Sequence, residues 1–221
     1  MATHHPSEEV LVAYASGALS EPLSLLVATH LTLCPGCRDE VRDYEALGGI
    51  LLEELPPAPI APDCLAAVFR RLDEAATAPR PAARPAPVAA DPRLPQPLCS
   101  YINGGLDRLR WASVKPGLRI ADLRLGRHPV RTRLLRAQPG TSIPRHTHAG
   151  TEAMLVLAGG FTDEHCHCRR GDVRFADETV THRQVIDPDE ECLCLLVTDG
   201  PVRLTGLLGL LGRFVNRFSA F

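Results

Sequence analysis

The chain has 221 residues, 45% of them hydrophobic, and its 24 Lys and Arg against 26 Asp and Glu leave a formal net charge of −2. That length suits one large domain or two modest ones, with enough apolar material for real cores. The charges are interleaved throughout and form no basic run of the kind a nucleic-acid binder needs, which leaves a protein partner or a small ligand.

The opening "MATHHPSEEV" has neither the basic start nor the apolar run of a secretory signal. Near the end, "LTGLLGLLGRFVNRF" is too short to cross a bilayer and carries two arginines. The expected location is the cytoplasm. Eight cysteines in a reducing compartment point to metal binding, redox sensing or plain burial before structural disulfides.

Residues 1–76 read as helical. Ser7 caps a first helix with Glu8 and Glu9 in its opening turn and Val10, Leu11 and Tyr14 as apolar positions. Ser20 caps a second, with Pro22 in the first turn, where a missing N–H costs nothing. Leu23, Leu26, Val27 and His30 follow at helical spacing. "CPGC" breaks this helix, and "RDEVRDYEALGGILLEEL" resumes it with Val41, Tyr44, Leu47 and Leu51 on one side. A further short helix is expected at "CLAAVFRRLDEA". Residues 77–97, "TAPRPAARPAPVAADPRLPQP", are rich in Pro, Ala and Arg and lack apolar periodicity. They read as a semi-stiff, polyproline-like linker. Beyond it, "IADLRLG", "VRTRLLRAQPG", "AMLVLAGG", "DVRFAD" and "CLCLLVTDG" are short strands bounded by Gly, Pro and Asp, so the second half is a barrel or sandwich.

Within the helical part, His30 and Cys34 are spaced i, i+4 and face one side of a helix. Cys34 and Cys37 form a C-x2-C pair across a Pro-Gly turn, the spacing at which two thiolates grip one tetrahedral ion. A redox pair of the thioredoxin kind expects a strand before it, whereas this pair follows a helix with a histidine one turn back. Zinc is the expected ion, and the fourth donor is His4 or His5. So small a helical domain has little core, and an ion tying its start to its middle contributes folding free energy directly.

The stretch "HHPSEEVLVAYASGALSEPLSLLVATHLTLCPGC" resembles the zinc-binding anti-sigma domain, with an early His followed by H-x3-C-x2-C. It is most similar to the ChrR-type anti-sigma factors, which join that domain to a metal-binding cupin. The family spacing selects His5, 25 residues before His30, so the resemblance implies zinc on His5, His30, Cys34 and Cys37. It also implies a sigma factor of the extracytoplasmic-function type as partner, kept from RNA polymerase.

"GTSIPRHTHAGTEAMLVLAG" matches the first cupin motif, G-x5-H-x-H-x3-E-x6-G, at every specified position. His146 and His148 alternate along a strand and point to one face, and Glu152 follows after a short bend. The second cupin motif is degraded. His182 stands where the fourth ligand belongs, but Asp177, Thr179 and Ile186 replace the usual Pro, Gly and Asn. Three imidazoles and a carboxylate suit zinc, iron, manganese or nickel. The ChrR resemblance implies zinc here too, and so two zinc ions per chain.

The expected architecture is therefore multidomain α + β. A zinc-stapled helical anti-sigma domain (1–76) precedes a linker (77–97), an all-β cupin jelly roll (98–200) and a C-terminal amphipathic tail (201–221). The "HCHC" run at 165–168 departs from the family, and its simplest reading is a polar, exposed strand end. Cys192 and Cys194 read as buried apolar residues, Cys64 and Cys99 as unremarkable, and His128 as a loop residue. Neither C-x-C pair should close internally within a flat strand, where such Cα atoms lie roughly 6.5–7 Å apart. A bond between the two pairs stays open. The function implied is an anti-sigma factor releasing its partner on oxidative, singlet-oxygen-like stress sensed by the cupin, with no direct nucleic acid or membrane contact. The alternative is a metal-dependent cupin enzyme, a dioxygenase or isomerase, with substrate around His146, His148, Glu152 and His182.

Overall fold

A computed structural model describes residues 2–77, 91–102, 105–125 and 130–205. Helices α1 (Glu8–Ala15), α2 (Glu21–Leu33), α3 (Pro35–Glu53) and α4 (Cys64–Thr77) come first, followed by the short α5 (Gln96–Cys99) and a 3-10 turn at Leu106–Arg108. Eleven strands follow among the described residues: β1 (Ala112–Lys115), β2 (Leu118–Leu123), β3 (Arg131–Ala137), β4 (Ser142–His148), β5 (Glu152–Ala158), β6 (Gly160–Thr162), β7 (His167–Arg169), β8 (Val173–Ala176), β9 (His182–Ile186), β10 (Cys192–Thr198) and β11 (Val202–Leu204).

The break between α2 and α3 has a local cause. A proline disfavours helical geometry in the residue before it. Cys34 accordingly sits at φ −119°, ψ 102°, and Pro35 opens α3 where its missing N–H is harmless. This leaves Cys34 at the N-cap of α3 and Cys37 in its first turn, where the helix dipole favours negative charge.

The strands form two antiparallel sheets, ordered β1-β2-β3-β10-β5-β8 and β11-β4-β9-β6-β7. Adjacent side chains in β5 and β10 enter different cores. Met154, Val156, Cys192, Cys194 and Leu196 face the barrel interior with Ile143, Phe161 and Ile186. Leu155, Leu157, Leu193, Leu195 and Val197 face outward, where Leu25 and Leu26 of α2 and Leu94, Leu98, Ile102 and Leu106 cover them. That double burial explains why both strands read as unbroken apolar runs.

The helical region keeps only a small core of its own: Leu11, Val27, Cys34, Cys37 and Val41. Helix α2 therefore serves two cores, one face toward the sheet and the other toward α1 and α3. Two element boundaries differ from the sequence reading. Leu94 packs at 7% exposure within the stretch read as linker, and β11 pairs with β4 beyond residue 200, because burial there rewards order that composition does not encode. Residues 78–90, His128 and the tail 206–221 lie outside the described residues.

Apolar residues stay exposed along two helices of the described region. Leu47, Ile50, Leu51 and Leu52 on α3 are 55–69% exposed, as are Leu65, Val68, Phe69 and Leu72 on α4 at 49–65%. The α4 positions repeat at helical spacing and make one apolar stripe.

Candidate metal centres

The first cluster forms where the N-terminal segment meets the α2–α3 break. One donor atom each from His5, His30, Cys34 and Cys37 lies within 4.8 Å of every other. His5 Nδ1 stands 3.4 Å from Cys34 Sγ and 3.3 Å from Cys37 Sγ. The two imidazoles meet edge to face, with centroids 5.8 Å apart. His4 points away, its Nδ1 3.5 Å from the Asp172 carboxylate, so the structure groups His5 rather than His4 with the other three.

His30 is fully buried, and its Nδ1–H donates to the Gly171 carbonyl at 2.8 Å. That bond fixes the tautomer, because the carbonyl only accepts, and leaves Nε2 as a lone pair. Nε2 is buried without a hydrogen-bond partner. Burial lowers the His30 pKa more than the Gly171 carbonyl and Asp172 raise it, which keeps the ring neutral and ready to ligate. Burial, and then the adjacent Cys34 sulfur, push the Cys37 thiol up to about 12. An orphaned imidazole lone pair facing two thiols is what a thiophilic cation would satisfy, and the N2S2 set fits tetrahedral zinc.

The second cluster sits in the barrel interior. His146 and His148 alternate on β4, His146 pairs across to His182 on β9, and Glu152 opens β5. All four are at most 4% exposed. His182 Nε2 lies 3.0 Å from His146 Nε2 and 3.1 Å from His148 Nε2, and Glu152 Oε1 is 3.8 Å from His148 Nε2. The far nitrogens of two rings are committed. His146 Nδ1 donates to the Pro144 carbonyl at 2.8 Å, and His182 Nδ1 donates to Asp163 Oδ2 at 3.2 Å. In the neutral rings two Nε2 lone pairs therefore converge in a buried space, an arrangement that a cation relieves.

Electrostatics agree with that geometry. Burial holds His146 and His148 down to about 4, and pushes Glu152 up to about 7. Asp163 behaves differently. Burial alone would raise it, but the His165 and Cys166 amides, His182 and Arg174 outweigh that and keep it an anion. The bend before His182 survives the loss of Pro and Gly because Asp177 closes it. Its Oδ1 accepts the Thr179 amide at 2.9 Å and the Thr179 hydroxyl at 2.6 Å.

A cavity of about 20 Å³ touches His146 and Glu152 and is otherwise lined mainly by Ile143, Met154, Leu196 and Val202. Such a space holds roughly one water molecule. The "HCHC" run divides differently from its sequence reading as an exposed strand end. His165 is exposed, but Cys168 is fully buried in the barrel core and Cys166 is half-buried, their sulfurs 3.3 Å apart. All eight cysteines are free thiols. Sequence reasoning missed Asp163 and Asp172. Their lone signal is a carboxylate on a strand end, which nothing local distinguishes from a solvated one.

Comparison with known proteins matches both halves. A family model described as the ChrR cupin-like domain covers residues 103–203. The anti-sigma-E factor ChrR of Cereibacter sphaeroides is 41% identical over 205 residues, 93% of either chain. A solved structure of Rhodobacter sphaeroides SigE in complex with the anti-sigma ChrR aligns over 90% of this chain and 100% of that one, at 39% identity and a TM-score of 0.78.

Proposed function

The chain belongs to the ChrR family of anti-sigma factors, and on that premise we propose that it sequesters a sigma factor of the extracytoplasmic-function type from RNA polymerase. Its role is regulatory rather than catalytic. The observation that carries this reading is the uncovered apolar surface on α3 and α4. Leu52 on α3 is 69% exposed and Phe69 on α4 is 58% exposed, and each belongs to a run of exposed apolar residues on its own helix whose burial against a helical partner repays the cost of exposure. The cupin-enzyme alternative loses support because the space beside His146 and Glu152 fits a single small ligand rather than an organic substrate.

In this reading residues 1–76 are the sigma-binding unit, and zinc on His5, His30, Cys34 and Cys37 is its structural staple. Residues 98–200 are the sensory unit, with His146, His148, Glu152 and His182 holding a second ion, also zinc. The signal is oxidative, of the singlet-oxygen kind, since imidazoles and metal-bound thiolates react with such oxidants. Among the described residues no helix is long and apolar enough to cross a membrane. The compartment proposed is the cytoplasm, where a sigma factor meets RNA polymerase.

Co-purification of the full chain with candidate sigma factors, joined to transcription in vitro, tests the proposal. The expected result is a stoichiometric complex and loss of sigma-dependent transcripts. A full chain that captures no sigma factor and inhibits none refutes it.

A further inference from the structure

We infer that the turn joining β7 to β8, with Asp172 at its centre, is a positioning element for the helical cluster, so that the barrel aims two of the four donors of a metal site built on the other half of the chain. This rests on reading His5, His30, Cys34 and Cys37 as a metal site.

Asp172 is 2% exposed, so its carboxylate depends on protein donors. Oδ1 accepts the amide N–H of Thr3 at 2.5 Å and of His4 at 3.0 Å, while Oδ2 accepts the Arg169 amide at 2.8 Å. The Thr3 hydroxyl adds a contact at 3.3 Å to each oxygen. From the other side, the Val173 amide donates to the His4 carbonyl at 2.9 Å. Residues 3 and 4 are thus held through two N–H groups and a carbonyl by the neighbouring Asp172 and Val173, and the next residue is His5. Bonds from a carboxylate to several amides are among the stronger hydrogen bonds available.

The residue before Asp172 acts on the second donor. Gly171 accepts the Nδ1–H of His30 at 2.8 Å and so turns Nε2 toward the thiols. Gly171 has φ +94°, a conformation that favours glycine, and a Cβ there would meet Ala2 at 3.5 Å and Leu33 at 3.6 Å. The turn is therefore seated directly against the helical region. Three consecutive residues, Gly171, Asp172 and Val173, orient one donor by its ring and the other by the backbone leading to it. Strand β8 continues from Val173 to Ala176, which pairs with Glu152 of the barrel cluster, so one short strand links the grip to the second centre.

Groups that orient metal-bound imidazoles commonly contribute 10–100-fold in metal affinity. The test uses the full chain loaded with cobalt(II). Thiolate-to-cobalt charge-transfer absorption reports the Cys34/Cys37 cluster, because of the two donor clusters among the described residues the barrel one has no thiol. Its decay is timed after excess EDTA is added. Asp172→Ala and a chain lacking residues 2–4 should each lose the band about tenfold faster than the unaltered chain. Asp172→Asn, which retains one acceptor oxygen, should fall between. The deletion leaves the barrel's own residues intact and decides the matter if the alanine variant does not fold. Equal decay in the unaltered and deleted chains overturns the positioning role while leaving the metal site standing. Absence of the band from the unaltered chain overturns both.

Discussion

Asp163 accepts the Nδ1–H of His182 at 3.2 Å inside the barrel, with both side chains fully buried. The pair makes Asp163 the carboxylate that sets the tautomer of a candidate ligand. Asp163→Ala should weaken metal binding at the barrel cluster by about 10–100-fold while sparing the helical cluster. Competitive chelation of metal from the variant measures this. Unchanged affinity would mean that His182 needs no such partner.

The helical region has only a small core of its own, so on the proposed reading its fold depends on an ion at the His5, His30, Cys34 and Cys37 cluster. Cys34→Ala or His30→Ala should lower helicity and abolish sigma binding, whereas Glu152→Gln should keep binding and blunt the response to oxidant. Circular dichroism with a sigma-capture assay separates the two classes. Equal loss of capture in both would contradict this division.

Phe69 and Leu72 lie on the exposed stripe of α4, at 58% exposure each. Phe69→Asp should leave the melting temperature of the free chain nearly unchanged, since surface substitutions shift stability by less than about 0.5 kcal/mol. Sigma affinity should fall about 30-fold or more, corresponding to about 2 kcal/mol at a buried interface anchor. Titration calorimetry reads the difference, and intact affinity would place the interface elsewhere.

The metal-free barrel should lose stability on acidification. His146 and His148 are held near 4 against an ordinary 6.5, and His182 is lowered too. Their contribution is full above pH 6.5 and is lost as pH falls toward the folded values, because the unfolded chain then binds the extra protons. Glu152 opposes this. Raised from 4.5 to about 7, it contributes most below pH 4.5 and loses that contribution as pH rises through 7. Three imidazoles outweigh one carboxyl, so the melting temperature at pH 4.5 should lie below that at pH 6.5. Scanning calorimetry on chelator-treated protein checks the sign.

Both donor sets were legible because each is largely local. H-x3-C-x2-C spans barely two helical turns, and H-x-H-x3-E spans one strand and a bend, so helical and strand periodicity bring those side chains together without long-range information. The apolar runs of β5 and β10 were equally plain, but that their second face is covered by Leu25 and Leu26 of α2 was not. Periodicity states that a face is buried and never by what. The "HCHC" run failed for a related reason. A short polar strand end looks exposed until the opposite sheet buries Cys168.

Sequence alone thus determined where donor residues cluster along the chain, where helices yield to strands, and that a helical unit precedes a barrel. Tertiary structure decided how those parts act on one another. Asp163 meets His182 across 19 positions, and Gly171 meets His30 across 141. Such contacts depend on how strands register and how a helix seats on a sheet, both outcomes of many weak packing terms summed over the whole fold. A local pattern reports only the spacing along its own helix or strand.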